Sequence, residues 1–335
     1  MNIVLDAMGG DNAPQASVEG ALRFAKETES NIELVGNEEK IRKIIKNITG
    51  DDSLPSNISI RHTTEEIIMS DIPTKAIKAK KDSSMVVSLK LVKEGKGDVI
   101  VSAGNTGALL TGAILILGRI KGVKRPSMLA TAPTLNGKFY LTDAGANTNC
   151  DETNIMQFAE MASIYLENVI GIKNPKVGLL NIGEEKSKGN IFYKNTNEYM
   201  YKNMEKNNIN FYGNIEPNRA ILGEVDIVVT DGFTGNIMVK SIEGTLKALF
   251  AISKDFVSEI GWKKIFLAPI KNDGKKFIEK YNYKKESAGI FLGVTKPLVK
   301  THGNSDASSF YYALKQAESY AKSDAIKIMK EKFSN

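Results

Sequence analysis

The sequence contains one cysteine, one tryptophan and two histidines among 335 residues. Cys150 alone forms no internal disulfide and supplies no thiolate cluster, which points to a reducing, cytoplasmic setting. Cys150, His62 and His302 are too few soft ligands for an ordinary zinc site, so no metal is expected. No apolar run approaches the roughly 20 residues that cross a bilayer, and Met1 leads straight into a strand-like segment, so neither a signal peptide nor a membrane span is expected. Internal repeats, low-complexity tracts and Pro/Ser-rich linkers are also missing. No clean domain boundary is therefore visible, and 1–335 reads as one large unit of two lobes.

What is present is the composition of a folded protein, 42% hydrophobic and 25% charged. The formal net charge is +6, and residues 253–300 carry eleven lysines against five acids. That local surplus equals the whole net charge. Short β-branched runs (Ile3–Asp6, Ile32–Val35, Val99–Ser102, Tyr140–Thr142, Val177–Asn181, Val225–Thr230) alternate with helical periodicity over 15–27, 106–119, 151–168, 235–259 and 304–331. This predicts an α/β fold with a largely parallel sheet covered by helices on both faces.

Four turns each follow a predicted strand and open a helix: Asp6–Pro14 (DAMGGDNAP), Ser102–Gly107 (SAGNTG), Asp143–Asn147 (DAGAN) and Asp231–Asn236 (DGFTGN). Strand C-termini form the ligand crevice of open α/β sheets, and helix N-termini offer backbone N–H groups to anions, so the set points to a phosphate-sized site. Taken singly, each reads first as an ordinary βα turn with glycine and a capping side chain. No turn is a P-loop or a dinucleotide fingerprint. A fifth segment, Asn181–Asn190 (NIGEEKSKGN), brings Lys186 and Lys188 toward the same crevice or leaves them as solvated loop charges. His302 precedes the last helix, where Asn304, Ser305 or Asp306 is a cap. Lys80 and Arg125 are each readable as anion contacts or as solvated surface.

Between 260 and 278, Trp262, Phe266 and Leu267 lie beside Lys263 and Lys264. Such a basic, partly apolar helical excursion, within 253–287, suits the headgroup boundary of an anionic membrane, an acidic partner, or packing on the body or a second subunit. No groove-reading or aromatic RNA signature accompanies it, so no nucleic acid is expected.

The ordered set DAMGGDNAP, KKDSSM (80–85), SAGNTGA, DAGAN, NIGEEKSKGN, TDGFTGN and HGNS (302–305) resembles the phosphate acyltransferases of bacterial phospholipid synthesis along the whole chain. The resemblance implies transfer of a fatty acyl group from acyl carrier protein to inorganic phosphate, giving acyl phosphate without a cofactor. It also implies a homodimer, peripheral membrane association and a three-layer αβα sandwich like isocitrate and isopropylmalate dehydrogenases. Two departures stand out: Asn12, where many members have histidine, and AGIFLGVT at 288–295, without the expected Gly-Gly-Ala-Pro-Leu run. Phosphate is a competent nucleophile, so the reaction needs no catalytic triad and no acyl-enzyme on Cys150. On this reading Gly9, Gly10, Asp11, Gly104, Asn105, Thr106 and Gly107 hold phosphate, while Lys188, Asn236 and His302 donate to the oxyanion. A phosphotransacetylase-like enzyme using acyl-coenzyme A and a non-catalytic membrane scaffold for carrier protein are the alternatives.

Overall fold

The computed structural model describes residues 1–51, 53–135, 137–259 and 288–334. Its strands are β1 (Asn2–Asp6), β2 (Asn31–Gly36), β3 (Ile58–His62), β4 (Val99–Ser102), β5 (Ser127–Pro133), β6 (Lys138–Thr142), β7 (Lys176–Leu180), β8 (Asn210–Ile215), β9 (Ile227–Val229), β10 (Gly289–Leu292) and β11 (Leu298–Lys300). They form one sheet in the order β3-β2-β1-β4-β11-β10-β5-β6-β9-β7-β8. The helices are α1 (Gln15–Ala25), α2 (Glu38–Thr49), α3 (Pro73–Ala79), α4 (Ser84–Lys93), α5 (Thr106–Gly112), α6 (Glu152–Tyr165), α7 (Ile191–Asn207), α8 (Pro217–Leu222), α9 (Gly232–Glu259), α10 (Ala307–Lys322) and α11 (Ala325–Ser334).

Each half of the sheet is parallel, but the centre is not. Antiparallel steps join β11 to β10, β10 to β5 and β5 to β6. Three reversals leave β3, β2, β1, β4 and β11 running opposite to β6, β9, β7 and β8. The C-terminal turns of the two halves therefore leave opposite edges, and a shared site has to form across the central strands.

Alternation along β1 shows how the core is divided. Ile3 and Leu5 join a cluster with Val18 and Phe24 of α1, Phe158 of α6 and Leu314 of α10. Val4 faces Val86 and Leu89 of α4 and Leu109 of α5 in a second cluster. Successive side chains point to opposite faces, so apolar residues at consecutive positions require cover on both. That is the reason these strands read as continuous hydrophobic runs.

Helix boundaries follow capping chemistry. Asp151 opens α6 in a reciprocal capping box with Asn154, and Asp306 opens α10 by accepting from the Ser309 N–H. The predicted helix 304–331 is two helices, because Ser323 takes an extended conformation after α10. Helix α9 begins at Gly232, three residues before its expected start, and its described part ends at Glu259. Trp262, Lys263, Lys264, Phe266 and Leu267 lie outside the described residues. Among those described, no helix is long and apolar enough to cross a membrane.

Candidate active site

The strand ends of the first half are tied into one unit. Ser102 Oγ donates to Asp6 Oδ2 at 2.7 Å and accepts from the Gly104 N–H at 3.0 Å. The Asp11 N–H donates to the Gly303 carbonyl, and Asn12 Nδ2 donates to the carbonyls of Asn304 and Ser305. Gly9 sits so close to the next turn that a Cβ there would stand 2.7 Å from the Gly104 nitrogen. The first, second and histidine motifs are thus packed against one another. Burial pushes the Asp6 carboxyl above its ordinary range, and the Ser102 hydroxyl works against that shift.

In the second half, two aspartates occupy the amides that an anion would need. Asp143 Oδ1 accepts from the N–H groups of Met128, Gly145 and Ala146, and its Oδ2 accepts from the Asn147 N–H and Nδ2. Asp231 accepts from the Phe233 and Thr234 N–H groups and from Tyr193 Oη. These turns are internally satisfied, as the plain βα-turn reading requires. Among the described residues, the Thr106 and Gly107 amides opening α5 have no such partner.

Two cavities flank α9. The first, about 280 Å³, is lined by Thr106, Ala144, Gly145, Asn236, Lys240, Glu243, Lys300, Thr301 and His302 over a floor of β5. Thr106 and His302 follow β4 and β11, whereas Gly145 and Asn236 follow β6 and β9, so both halves of the sheet contribute. The second, about 750 Å³, is mainly apolar, with Leu180, Tyr193, Pro217, Ile221, Ile237 and Met238 in its wall. Pro133, Ile242 and Leu246 line both. Residues 236, 240 and 243 recur on one face of α9 and 237, 241 and 245 on the other, as helical spacing dictates. The helix is a partition between a charged chamber and an apolar one.

His302 is held by Glu243. His302 Nε2 lies 3.1 Å from Glu243 Oε1, and Lys240 Nζ lies 3.1 Å from Oε2. Burial pushes the Glu243 carboxyl up, but the hydrogen bonds and charges of His302 and Lys240 outweigh it and hold it down to about 2. A carboxylate depressed in the folded state stabilises fully above its unfolded value of 4.5 and loses that contribution as pH falls toward about 2. Glu243→Gln is expected to cost about 1–2 kcal/mol at neutral pH, discounted because the pair borders an open cavity. Thermal melts should show the gap to wild type closing below about pH 4.5. A gap unchanged into acid would argue against the pair.

The sequence-predicted residues divide as follows. Thr106, Asn236 and His302 meet in the charged cavity, and Asp11 lines an adjoining polar recess with His302, Lys240 and Asp306. Gly9, Gly10, Gly104, Asn105 and Gly107 line none of these cavities. Asn105 instead caps α5 through Ala108 and donates to the Met69 carbonyl. Lys188 is about half-exposed and 4.0 Å from Glu185, on the loop whose Gly189 and Asn190 border the apolar cavity. Lys80 pairs with Asp71, and Arg125 donates to the Asn149 carbonyl. Burial pushes the Cys150 thiol up to about 12, which keeps it protonated and a poor nucleophile. Among the described residues no acidic, histidine or cysteine cluster is placed to hold a metal. Sequence reading missed Lys300, Lys240 and Glu243. A lysine closing an otherwise apolar strand two residues before His302 was the available signal for the first.

A family model described as fatty acid synthesis protein matches residues 1–328. The chain belongs to that family. The phosphate acyltransferase of Acetivibrio thermocellus is 45% identical over 337 residues, covering 100% of this chain and 97% of the relative. That of Clostridioides difficile is 41% identical, covering 97% and 94%. The resemblance read from the ordered motifs is borne out, and the protein is an enzyme. Among solved structures, a phosphotransacetylase from Streptococcus pyogenes gives a TM-score of 0.61 at 16% identity, covering 96% of this chain and 94% of that one. A putative 4-hydroxythreonine-4-phosphate dehydrogenase from Salmonella typhimurium gives 0.51 at 11%, covering 96% and 99%. At such identities the likeness concerns the fold, a mixed sheet with helices on its faces.

Proposed function

We propose that the protein transfers a fatty acyl group from the thioester of acyl carrier protein to inorganic phosphate, releasing acyl phosphate for phospholipid synthesis. The observation that carries this reading is a charged cavity on one side of α9 with an apolar one on the other, sharing Pro133, Ile242 and Leu246 in their walls, a layout for a polar reacting centre beside a hydrocarbon tail. A phosphate oxygen attacks the thioester carbonyl carbon to form the C–O bond. The tetrahedral intermediate collapses with loss of the C–S bond, and the carrier thiolate leaves and takes a proton from solvent. Holding phosphate against the carbonyl contributes up to about 7–11 kcal/mol, and one oxyanion donor about 3–4 kcal/mol. Asn236 and His302 are the inner donors in this proposal, with Thr106 beside the bound phosphate. Lys188 is the third donor of the proposal, reaching the thioester oxygen from the loop that borders the apolar cavity once substrate is bound. Lys188→Met is expected to lower turnover about tenfold with an unchanged melting temperature, less than a preorganised inner donor would. Wild-type turnover in that variant would remove Lys188 from the site.

The finer fold description, a three-layer sandwich of two lobes like isocitrate and isopropylmalate dehydrogenases, belongs to the same proposal. So do a homodimer, which rests on the family resemblance, and peripheral membrane contact through 253–287, which rests on the clustered lysines and apolar residues of that sequence. The test of function is incubation of acyl carrier protein thioester with phosphate, trapping acyl phosphate with hydroxylamine. Hydroxamate that depends on both substrates is expected. Its absence would leave a carrier-protein scaffold, and a preference for acyl-coenzyme A would favour the phosphotransacetylase reaction.

A further inference from the structure

The floor of the charged cavity carries a group that neither the motifs nor the family comparison assigns. Lys300 closes β11 with 8% of its surface exposed, and in register it stands opposite Ser102 of β4, whose hydroxyl donates to Asp6. Its Nζ donates to the Thr301 carbonyl at 2.5 Å, and among the described residues it has no ion pair. A buried ammonium left in that condition opposes folding unless an anion offsets it.

The carboxylates around it attract the ammonium from a distance, but among the described residues none lies within ion-pair reach of it. Asp6 comes from β1, Asp11 from the following turn, Lys240 and Glu243 from α9, and His302 from the turn after β11. Glu243 is engaged by Lys240 and His302, and Asp6 accepts from Ser102. Burial, with Lys240 adding to it, draws the Lys300 ammonium down to about 8, and Asp11 and Asp6 pull the other way. Of the charged residues that line the cavity itself, Lys240 and Glu243 offset each other and Lys300 is left, with Thr106, Thr301 and Asn236 in the same lining. Screening by salt is weak at such a buried position.

Resting on the acyl-transfer reading above, we propose that Lys300 is the charged anchor of the nucleophile, binding the dianion of inorganic phosphate at the floor of this cavity before the thioester reacts. An ammonium donates to phosphate oxygens as a compact point charge, and one of its N–H bonds here is already directed by Thr301.

The experiment is calorimetric titration of inorganic phosphate into wild type, Lys300→Met and Lys300→Arg, alongside phosphate KM and kcat from the hydroxylamine assay. In Lys300→Met, phosphate Kd and KM are both expected to rise about 10²-fold, the loss typical of truncating one partner of a buried charge pair. Lys300→Arg, which keeps the charge, should recover most of that loss. A phosphate Kd within twofold of wild type in folded Lys300→Met overturns the proposal. So does a fall in kcat with Kd and KM unchanged, which would make Lys300 a transition-state group. If circular dichroism shows Lys300→Met unfolded, the pH dependence of wild-type Kd decides instead. Over the range in which phosphate is already the dianion, affinity should weaken as pH rises from about 8 upward and stay level in Lys300→Arg, and a wild-type profile flat over that range is fatal. Acyl phosphate formed with no change in Kd sinks this inference alone. A Kd change with no acyl phosphate from wild type sinks the catalytic reading and leaves the anchor standing.

Discussion

Replacing Asn236 by leucine is expected to lower acyl phosphate formation by about 10²–10³-fold, the usual consequence of removing one preorganised oxyanion donor. Asn236 lies near the start of α9, packs close to Gly145 in the lining of the charged cavity and is exposed. Its side-chain amide has no hydrogen-bond partner among the described residues, so the substitution breaks no bond that holds the fold. Leucine is similar in size but donates nothing, which separates chemistry from stability. Steady-state kinetics should place the loss in kcat while phosphate KM stays near wild type, and the melting temperature should be unchanged. A rate within about threefold of wild type would take Asn236 out of the reaction.

Gly235→Ala should be the most damaging small change to the fold near the site. A Cβ there would stand 2.0 Å from the backbone carbonyl oxygen of Asp143, well inside contact distance. The obstacle is main chain just after β6, held by the hydrogen bonds that the Met128, Gly145 and Ala146 N–H groups donate to the Asp143 carboxylate, so it has little freedom to yield. A cost of about 3 kcal/mol or more is expected, together with loss of activity as Asn236 is displaced. Gly244, two turns further along α9, is the control: a Cβ there meets nothing within 4 Å. Gly244→Ala should stabilise by up to about 1 kcal/mol, because alanine is the better helix former. Urea midpoints measure both, and equal effects at the two positions would refute the argument from close approach.

The two glycines differ in a way no local pattern records, and the same is true across the site. The strand ends, Asp306 among the caps offered for the last helix, and the turns after β1, β4, β6 and β9 were legible, because alternation, helical spacing and side-chain capping operate within a few residues. Which turn amides stay available was not legible. Asp143 and Asp231 look like ordinary turn residues in sequence, and only the folded turns show their carboxylates occupying the N–H groups. Pro133, Ile242 and Leu246 become the shared wall of two cavities only once β5 and α9 are packed together.

Taken alone, the amino-acid order established an α/β protein, the position of its glycine-bearing turns and, through the sequence of motifs, its family. Tertiary structure decided that the two parallel halves run in opposite directions, so that Thr106 and His302 from one meet Gly145 and Asn236 from the other. It also turned Lys300 from one lysine among many into a buried charge. The physical reason is range. Turn and helix signals are local, whereas burial, desolvation and unmet charge follow from pairing β11 with β4, segments nearly two hundred residues apart in the chain.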